Sequence, residues 1–177
     1  MILSTHAVVG AAIASFLPSH PIAALVLGFT SHFVLDAIPH WDYPIRSASV
    51  NPKINAPVIF DAALLKDAVT IGADGLFGSM VGLLLFATPE GLLAILLGIF
   101  GAMLPDPLQF VHARLPYEPL RTLQRFHRWA HTNKQFTDNI VLGAGSQLAL
   151  VASIVALAAA AHHGVFVAST GIAHGSG

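Results

Sequence analysis

The chain has 177 residues, of which 55% are hydrophobic and only 10% charged, with a formal net charge of −1. A soluble domain carries roughly 25% charged residues, so the composition excludes a surface that faces water on all sides. Runs without any Asp, Glu, Lys or Arg cover 1–35, 75–89, 91–105 and 139–177. Such runs are typical of an integral membrane protein. Cysteine is absent, which excludes disulfides and thiolate metal sites.

The pattern predicts one all-α membrane domain over 1–177, a polytopic integral membrane protein with about five transmembrane or membrane-embedded helices. Prolines provide most of the boundaries, because proline is tolerated at a helix start and stops a helix from within. The segment from Met1 to His6 lacks the basic residues of a signal peptide, so we expect it to be retained. The expected helices cover 5–17, 21–38, 58–87, 90–104 and 139–161.

Basic residues are concentrated in the two expected loops, 39–57 and 105–136. Both loops fall on the same side of the membrane, because one helical hairpin separates them. The positive-inside rule makes that side cytoplasmic, so we expect a bacterial inner-membrane protein with its polar cluster facing the cytoplasm. Apolar residues recur at helical spacing between Leu120 and Trp129, so part of the second loop is expected to lie along the interface.

The segment 31–42 carries the strongest chemical signal. His32 and Asp36 are four residues apart and therefore share one face of a helix. Pro39 ends that helix, and His40 follows in the loop. Imidazole and carboxylate groups at this spacing suit a divalent metal. Ionisable groups next to lipid are costly, so such a cluster is usually functional.

The predicted topology brings further histidines and carboxylates to the same level of the membrane. His127 and His131 form a His-x-x-x-His pair, which on a helix would be a chelate for one ion. One or two divalent ions are expected, with zinc favoured over manganese or magnesium. The candidate metal ligands are His6, His32, Asp36, His40, Asp74, Asp106, His127 and His131.

Three other residues are candidates for catalytic or supporting roles. Asp42 is expected either to bind metal or to orient a ligand, and Asp67 either to take a proton or to pair with a basic residue. Arg128, or its neighbour Arg125, suits an anionic head group, although cytoplasmic positive charge explains an arginine here equally well.

Three short motifs resemble those of the membrane-bound predicted metal-dependent hydrolases of the LexA-regulated inner-membrane type. They are Thr5-His6, Leu104-Pro105-Asp106 and the late His127-Arg128 with His131-Thr132. The second carboxylate of the family's Leu-Pro-Asp-x-Asp pattern is replaced here by Leu108, and the late histidines are four rather than five apart. The His32-x-x-x-Asp36 helix also resembles that of zinc-dependent phospholipase C-like enzymes.

This resemblance implies a metal-dependent hydrolase, and an interfacial site favours a membrane lipid or lipid-linked phosphoester as its substrate. No nucleic-acid partner is expected. A divalent metal-ion transporter, or a metal-binding membrane protein without hydrolase activity, is the alternative, since it would also need buried His and Asp. A structural subunit whose polar cluster joins helices is a third possibility.

Overall fold

The computed structural model describes residues 1–47, 61–132, 134, 136 and 139–173. Over these residues the chain is entirely helical, with no strand, so the predicted all-α class is confirmed. Seven helices are present in this part of the chain. They are α1 (Leu3–Ala14), α2 (Pro21–Asp36), α3 (Ala62–Phe86), α4 (Leu92–Met103), α5 (Pro105–Arg114), α6 (Leu120–Ala130) and α7 (Ile140–Ala173).

Two helices are long and apolar enough to cross a membrane, which indicates membrane association. They are α3 and the Ile140–Gly164 part of α7, each with 25 residues in the apolar stretch. A third span exists if α4 and the start of α5 act as one unit bent by 44°. These two or three candidate spans are fewer than the roughly five transmembrane or membrane-embedded helices that the sequence predicts. With 12 and 16 residues, α1 and α2 reach only about 18 and 24 Å, less than the bilayer core of about 30 Å.

Other boundaries also differ from the expected ones. The expected loop 105–136 contains two helices, α5 and α6, because Pro105 starts a new helix as well as ending α4. The last helix continues to Ala173, beyond the expected end at 161. Asp61 caps the start of α3, since its side chain accepts a hydrogen bond from the Leu64 N–H. The first residues expected in this helix, 58–60, lie outside the described part, as do 48–57 of the preceding loop.

Small residues let the short helices pack closely around α4, which contacts α1, α2 and α3. A Cβ atom added at Gly28 of α2 would lie 2.3 Å from the Gly98 carbonyl oxygen of α4. One added at Gly101 would lie 2.3 Å from the Leu25 carbonyl oxygen. Interfaces of this kind are typical of helices packed in membranes. The outer surfaces of α3 and α7 carry large exposed apolar side chains, such as Leu84 and Val141.

The polar groups meet at one end of this bundle. Gln147, near the start of α7, accepts a hydrogen bond from the Ile2 N–H and donates one to the Trp41 carbonyl oxygen. It therefore ties the beginning of α7 to the segment before α1 and to the loop after α2. The same end holds the last turns of α2 and α4 and the buried face of α6.

Candidate metal centre

Asp36 lies at the middle of a buried cluster of imidazoles and carboxylates. It ends α2 and is almost fully buried. Its Oδ2 atom lies 3.1 Å from the Nε2 atoms of both His32 and His127. Asp106, in the first turn of α5, places Oδ1 3.4 Å from His32 Nε2. These four residues, called the first group below, offer ligand atoms that all lie within 4.8 Å of one another.

The spacing within the first group fits a small divalent ion. A tetrahedral zinc ion with ligand bonds of about 2.0–2.1 Å separates its ligand atoms by about 3.3–3.4 Å. The two Nε2 atoms of His32 and His127 are 3.4 Å apart. The four histidine–carboxylate distances are 3.1, 3.1, 3.4 and 4.0 Å, the last between His127 Nε2 and Asp106 Oδ1. The donor set therefore has the size of a zinc coordination shell.

Hydrogen bonding fixes which nitrogen of His32 faces the cluster. His32 Nδ1 lies 2.8 Å from the Ala102 carbonyl oxygen, which can only accept, so Nδ1 carries a proton. In a neutral ring Nε2 then presents a lone pair to Asp36, Asp106 and His127. Lone pairs and carboxylate oxygens at these distances repel unless a cation lies among them. A proton on His32 Nε2 would relieve its contacts with Asp36 and Asp106 but not the contact between His127 and Asp106, whereas one divalent ion would relieve all of them.

A second group consists of Asp36, His40 and His131, whose ligand atoms also lie within 4.8 Å of one another. His40 Nδ1 lies 2.6 Å from the Ile38 carbonyl oxygen, and His131 Nδ1 lies 2.9 Å from that of Thr132. Both rings therefore repeat the arrangement of His32, with Nδ1–H directed to the backbone and Nε2 directed to the cluster. Asp36 belongs to both groups. The Met1 amino nitrogen lies 2.9 Å from His40 Nε2 and 2.8 Å from Asp36 Oδ1, so an ion in the second group would replace this amino group.

His131 reaches the second group through backbone pairing. Helix α6 ends at Ala130, and His131 has extended backbone angles. The Thr132 N–H donates to the Asp36 carbonyl oxygen over 2.8 Å, and the Phe136 N–H donates to that of His40 over 3.0 Å. The segment after α6 therefore lies along the end of α2. As a result His127 and His131 serve different groups, and the expectation that one helical face presents both to one ion was wrong.

Asp42 lies on the side of the second group where the ligand nitrogens point. Its Oδ2 atom is 3.1 Å from His40 Nε2 and 3.4 Å from His131 Nε2. Burial raises the pKa of Asp42, but hydrogen bonds from His131 and His40 outweigh it and hold the pKa below its usual range. The hydrogen bond to Asp42 in turn raises the pKa of His131. The Met1 amino nitrogen lies 2.7 Å from Asp42 Oδ1 and 2.8 Å from Asp36 Oδ1. The position thus attracts positive charge.

The residues of the centre differ in exposure. Asp36 and His32 are at most 1% exposed, whereas Asp106, Asp42 and His131 are 30%, 26% and 23% exposed. A structural zinc site is closed by four protein ligands, whereas a catalytic site leaves a position for water or substrate. The three partly exposed residues are the ones that a molecule from outside the protein can reach.

His6 lies beside the first group without being part of it. Its Nε2 atom is 3.2 Å from Asp36 Oδ1, and its ring stacks on that of His32 at 4.0 Å. The Nδ1 atoms of His6 and His127 are buried without a hydrogen-bond partner among the described residues. Unpartnered buried polar atoms are rare in proteins, so they mark a place that is suited to an additional polar ligand or ion.

The structure places three other candidates away from the centre. Asp74 accepts hydrogen bonds from the Ser4 N–H and the Tyr43 hydroxyl, so it holds the start of α1 and belongs to neither ligand group. Asp67 is half-buried and accepts hydrogen bonds from the backbone N–H groups of 46 and 47. Arg128 Nε donates to the Gln124 carbonyl oxygen on its own helix and faces outward.

Two glutamines missing from the predicted site support the first group. Gln109 Nε2 donates to Asp106 Oδ1 over 3.1 Å and lies 3.4 Å from His127 Nε2. Gln124 Nε2 donates to Gln109 Oε1, which fixes the direction of the Gln109 amide. Each glutamine lies three residues from a predicted ligand on the same helix, and this spacing indicates that both side chains share one helical face. Glutamine has no charge, so a pattern of ionisable residues does not include it.

No protein-family model, curated protein or solved structure was found to match this chain. The resemblance of its motifs to membrane-bound hydrolases therefore stays a prediction, and the interpretation of the centre depends on its geometry.

Proposed function

We propose that this protein is a membrane-embedded, metal-dependent hydrolase that cleaves a lipid or lipid-linked phosphoester. The observation that carries the proposal is the sharing of Asp36 between two adjacent groups of atoms that could bind metal, of which Asp106 and His131 are partly exposed. Two-metal sites of this kind are typical of phosphoester hydrolysis. Zinc is the proposed metal, since imidazole and carboxylate ligands with near-tetrahedral spacing suit it.

His32, Asp36, Asp106 and His127 would hold one ion, and Asp36, His40 and His131 would hold a second, with Asp42 beside the second group as the proton acceptor. A bound zinc ion lowers the pKa of a coordinated water and polarises a phosphoryl oxygen. The backbone carbonyls at 102, 38 and 132 keep three imidazoles in the binding tautomer, which raises their basicity as ligands.

In the reaction, one water and one phosphoester give an alcohol and a phosphate. The water oxygen bonds to phosphorus, the ester P–O bond breaks, and the leaving alcohol oxygen gains a proton. Asp42, which is partly exposed, takes the proton that the water loses and returns it to the leaving alcohol oxygen. One N–H of Gln109 is bonded to Asp106, and the other faces the centre, where it donates to a phosphoryl oxygen as negative charge builds up.

The membrane setting supports a lipid substrate. The centre lies at one end of a bundle whose long helices, α3 and α7, are apolar enough to span a bilayer. A lipid whose head group lies at the interface would present that head group to the centre at this depth. The acyl chains of the same lipid would stay among the apolar helices. By the positive-inside argument the centre faces the cytoplasm of a bacterial inner membrane.

Two measurements test the proposal. Elemental analysis of the purified protein compares wild type with His32→Ala, and with His20→Ala as a matched control at an exposed histidine outside the cluster. Metal in wild type and control but not in His32→Ala supports the centre. Phosphate release from lipid vesicles is then measured with and without a chelator. Folded, metal-loaded protein that releases nothing but moves zinc across vesicles would favour the transporter alternative and defeat the hydrolase proposal.

A further inference from the structure

Helix α6 presents two chemically different faces. Its inward face buries Gln124 and His127, which belong to the metal centre. Its outward face leaves five large side chains exposed to the surroundings of the protein. They are Arg121, Arg125, Phe126, Arg128 and Trp129.

The exposed side chains are sorted by type around the helix. At about 100° per residue, Arg128, Arg121 and Arg125 fall within an arc of about 60°. Trp129 follows about 40° further round, and Phe126 about 60° beyond it. A cationic edge therefore passes into an aromatic edge across one face. Tryptophan at the boundary between water and hydrocarbon, with arginine on the aqueous side, is the usual arrangement of an interfacial helix.

The helix is fixed at the aromatic edge by the protein itself. Phe126 packs edge-on against Phe33 of α2 with ring centroids 4.9 Å apart. Trp129 lies against Phe126, 5.7 Å away, and is 78% exposed. An indole this exposed, next to anchored aromatic rings, has an apolar surface that the described part of the chain does not cover.

We infer that the outward face of α6 binds the anionic head groups of membrane lipids. Charge complementarity selects this occupant, because residues 108–136 contain five basic residues and only one acidic residue, Glu118. Basic residues near an anionic leaflet attract phosphate-bearing lipids, and arginine bonds phosphate oxygens with two N–H groups. The inference is independent of hydrolase activity, since it concerns the face opposite His127.

Fluorescence quenching by brominated lipid tests the inference directly. In a Trp41→Phe background Trp129 is the only tryptophan. The protein is reconstituted in phosphatidylcholine bilayers containing a small fraction of brominated phosphatidylglycerol or, separately, brominated phosphatidylcholine. We expect the anionic quencher to be at least about twofold more effective, since each arginine enriches anionic lipid. Replacing Arg121, Arg125 and Arg128 by glutamine should bring the ratio to about one.

Arg46→Gln is the matched control, because Arg46 is exposed but lies outside α6; it should leave the preference unchanged. Raising the salt concentration on the wild-type background should also reduce the preference, since exposed charges are screened, and this measurement needs no arginine variant to fold. Equal quenching by both lipids, or a preference that survives the triple substitution, overturns the inference. Absence of quenching by either lipid would also overturn it, and would indicate that protein rather than lipid covers Trp129.

Discussion

Asp36→Asn tests the bridging arrangement, because Asp36 is the residue that both ligand groups contain. The substitution keeps the shape of the side chain and removes its charge. It leaves three ligands in the first group and two in the second. Loss of a residue that merely positions a ligand weakens metal binding by about 10–100-fold. Loss of the ligand itself should therefore lower the metal affinity of the first group by more than about 100-fold. The two ligands that remain in the second group should not hold an ion.

His131→Ala is the matched variant, because it removes a ligand from the second group alone. It leaves the four ligands of the first group in place. We expect two zinc ions per chain in wild type, one in His131→Ala and less than one in Asp36→Asn. The measurement is elemental analysis after dialysis against buffered zinc, with circular dichroism to show that each variant keeps its helices. Two ions in folded Asp36→Asn, or none in folded His131→Ala, would refute the shared-carboxylate arrangement.

Four further substitutions have distinct expected outcomes. Gln109→Leu should lower kcat by about 100-fold, as loss of a donor to developing negative charge does, with unchanged metal content. Gly101→Ala should destabilise the protein by about 1–3 kcal/mol through overpacking, measured by thermal unfolding; Gly145→Ala, where a Cβ meets open space, should not. Asp74→Ala should lower the free energy of unfolding by about 1 kcal/mol, because the Ser4 N–H at the start of α1 loses its acceptor, and it should leave the metal content unchanged. Pro105→Ala should straighten the bend after α4 and release metal from the first group only.

Local rules were sufficient for the approximate positions of α1 to α4 and for the first pair of ligands. The His32–Asp36 spacing of four predicts neighbours on one helical face, and their ligand atoms are 3.1 Å apart. Proline positions predicted where α2 and α4 end. Of the eight candidate metal ligands, the structure brings six into the two groups, because the predicted topology places remote chain segments at one end of the bundle.

Contacts between segments distant in the sequence determine the roles of Asp74 and His131, which local rules did not predict correctly. Asp74 has a deep, small-residue setting that suggested a ligand, but its partners are the Ser4 N–H and Tyr43, which no spacing in the sequence indicates. The end of α6 at Ala130 likewise depends on the Thr132 N–H reaching the carbonyl of Asp36. That bond joins residues 96 positions apart in the chain, counted from 36 to 132. Helical spacing alone therefore assigned His131 to the wrong partner.

The break between α4 and α5 makes the first group possible. A helix end leaves its last carbonyls without partners within the helix, and α4 ends at Met103, one residue after Ala102. The Ala102 carbonyl is consequently available to accept the His32 Nδ1–H, which leaves Nε2 facing the other residues of the first group. The same bend starts α5 at a point where Asp106, in its first turn, reaches His32. One proline thus provides both the orientation of a histidine and the carboxylate that faces it, so the Leu104-Pro105-Asp106 motif acts as a unit rather than as a single ligand.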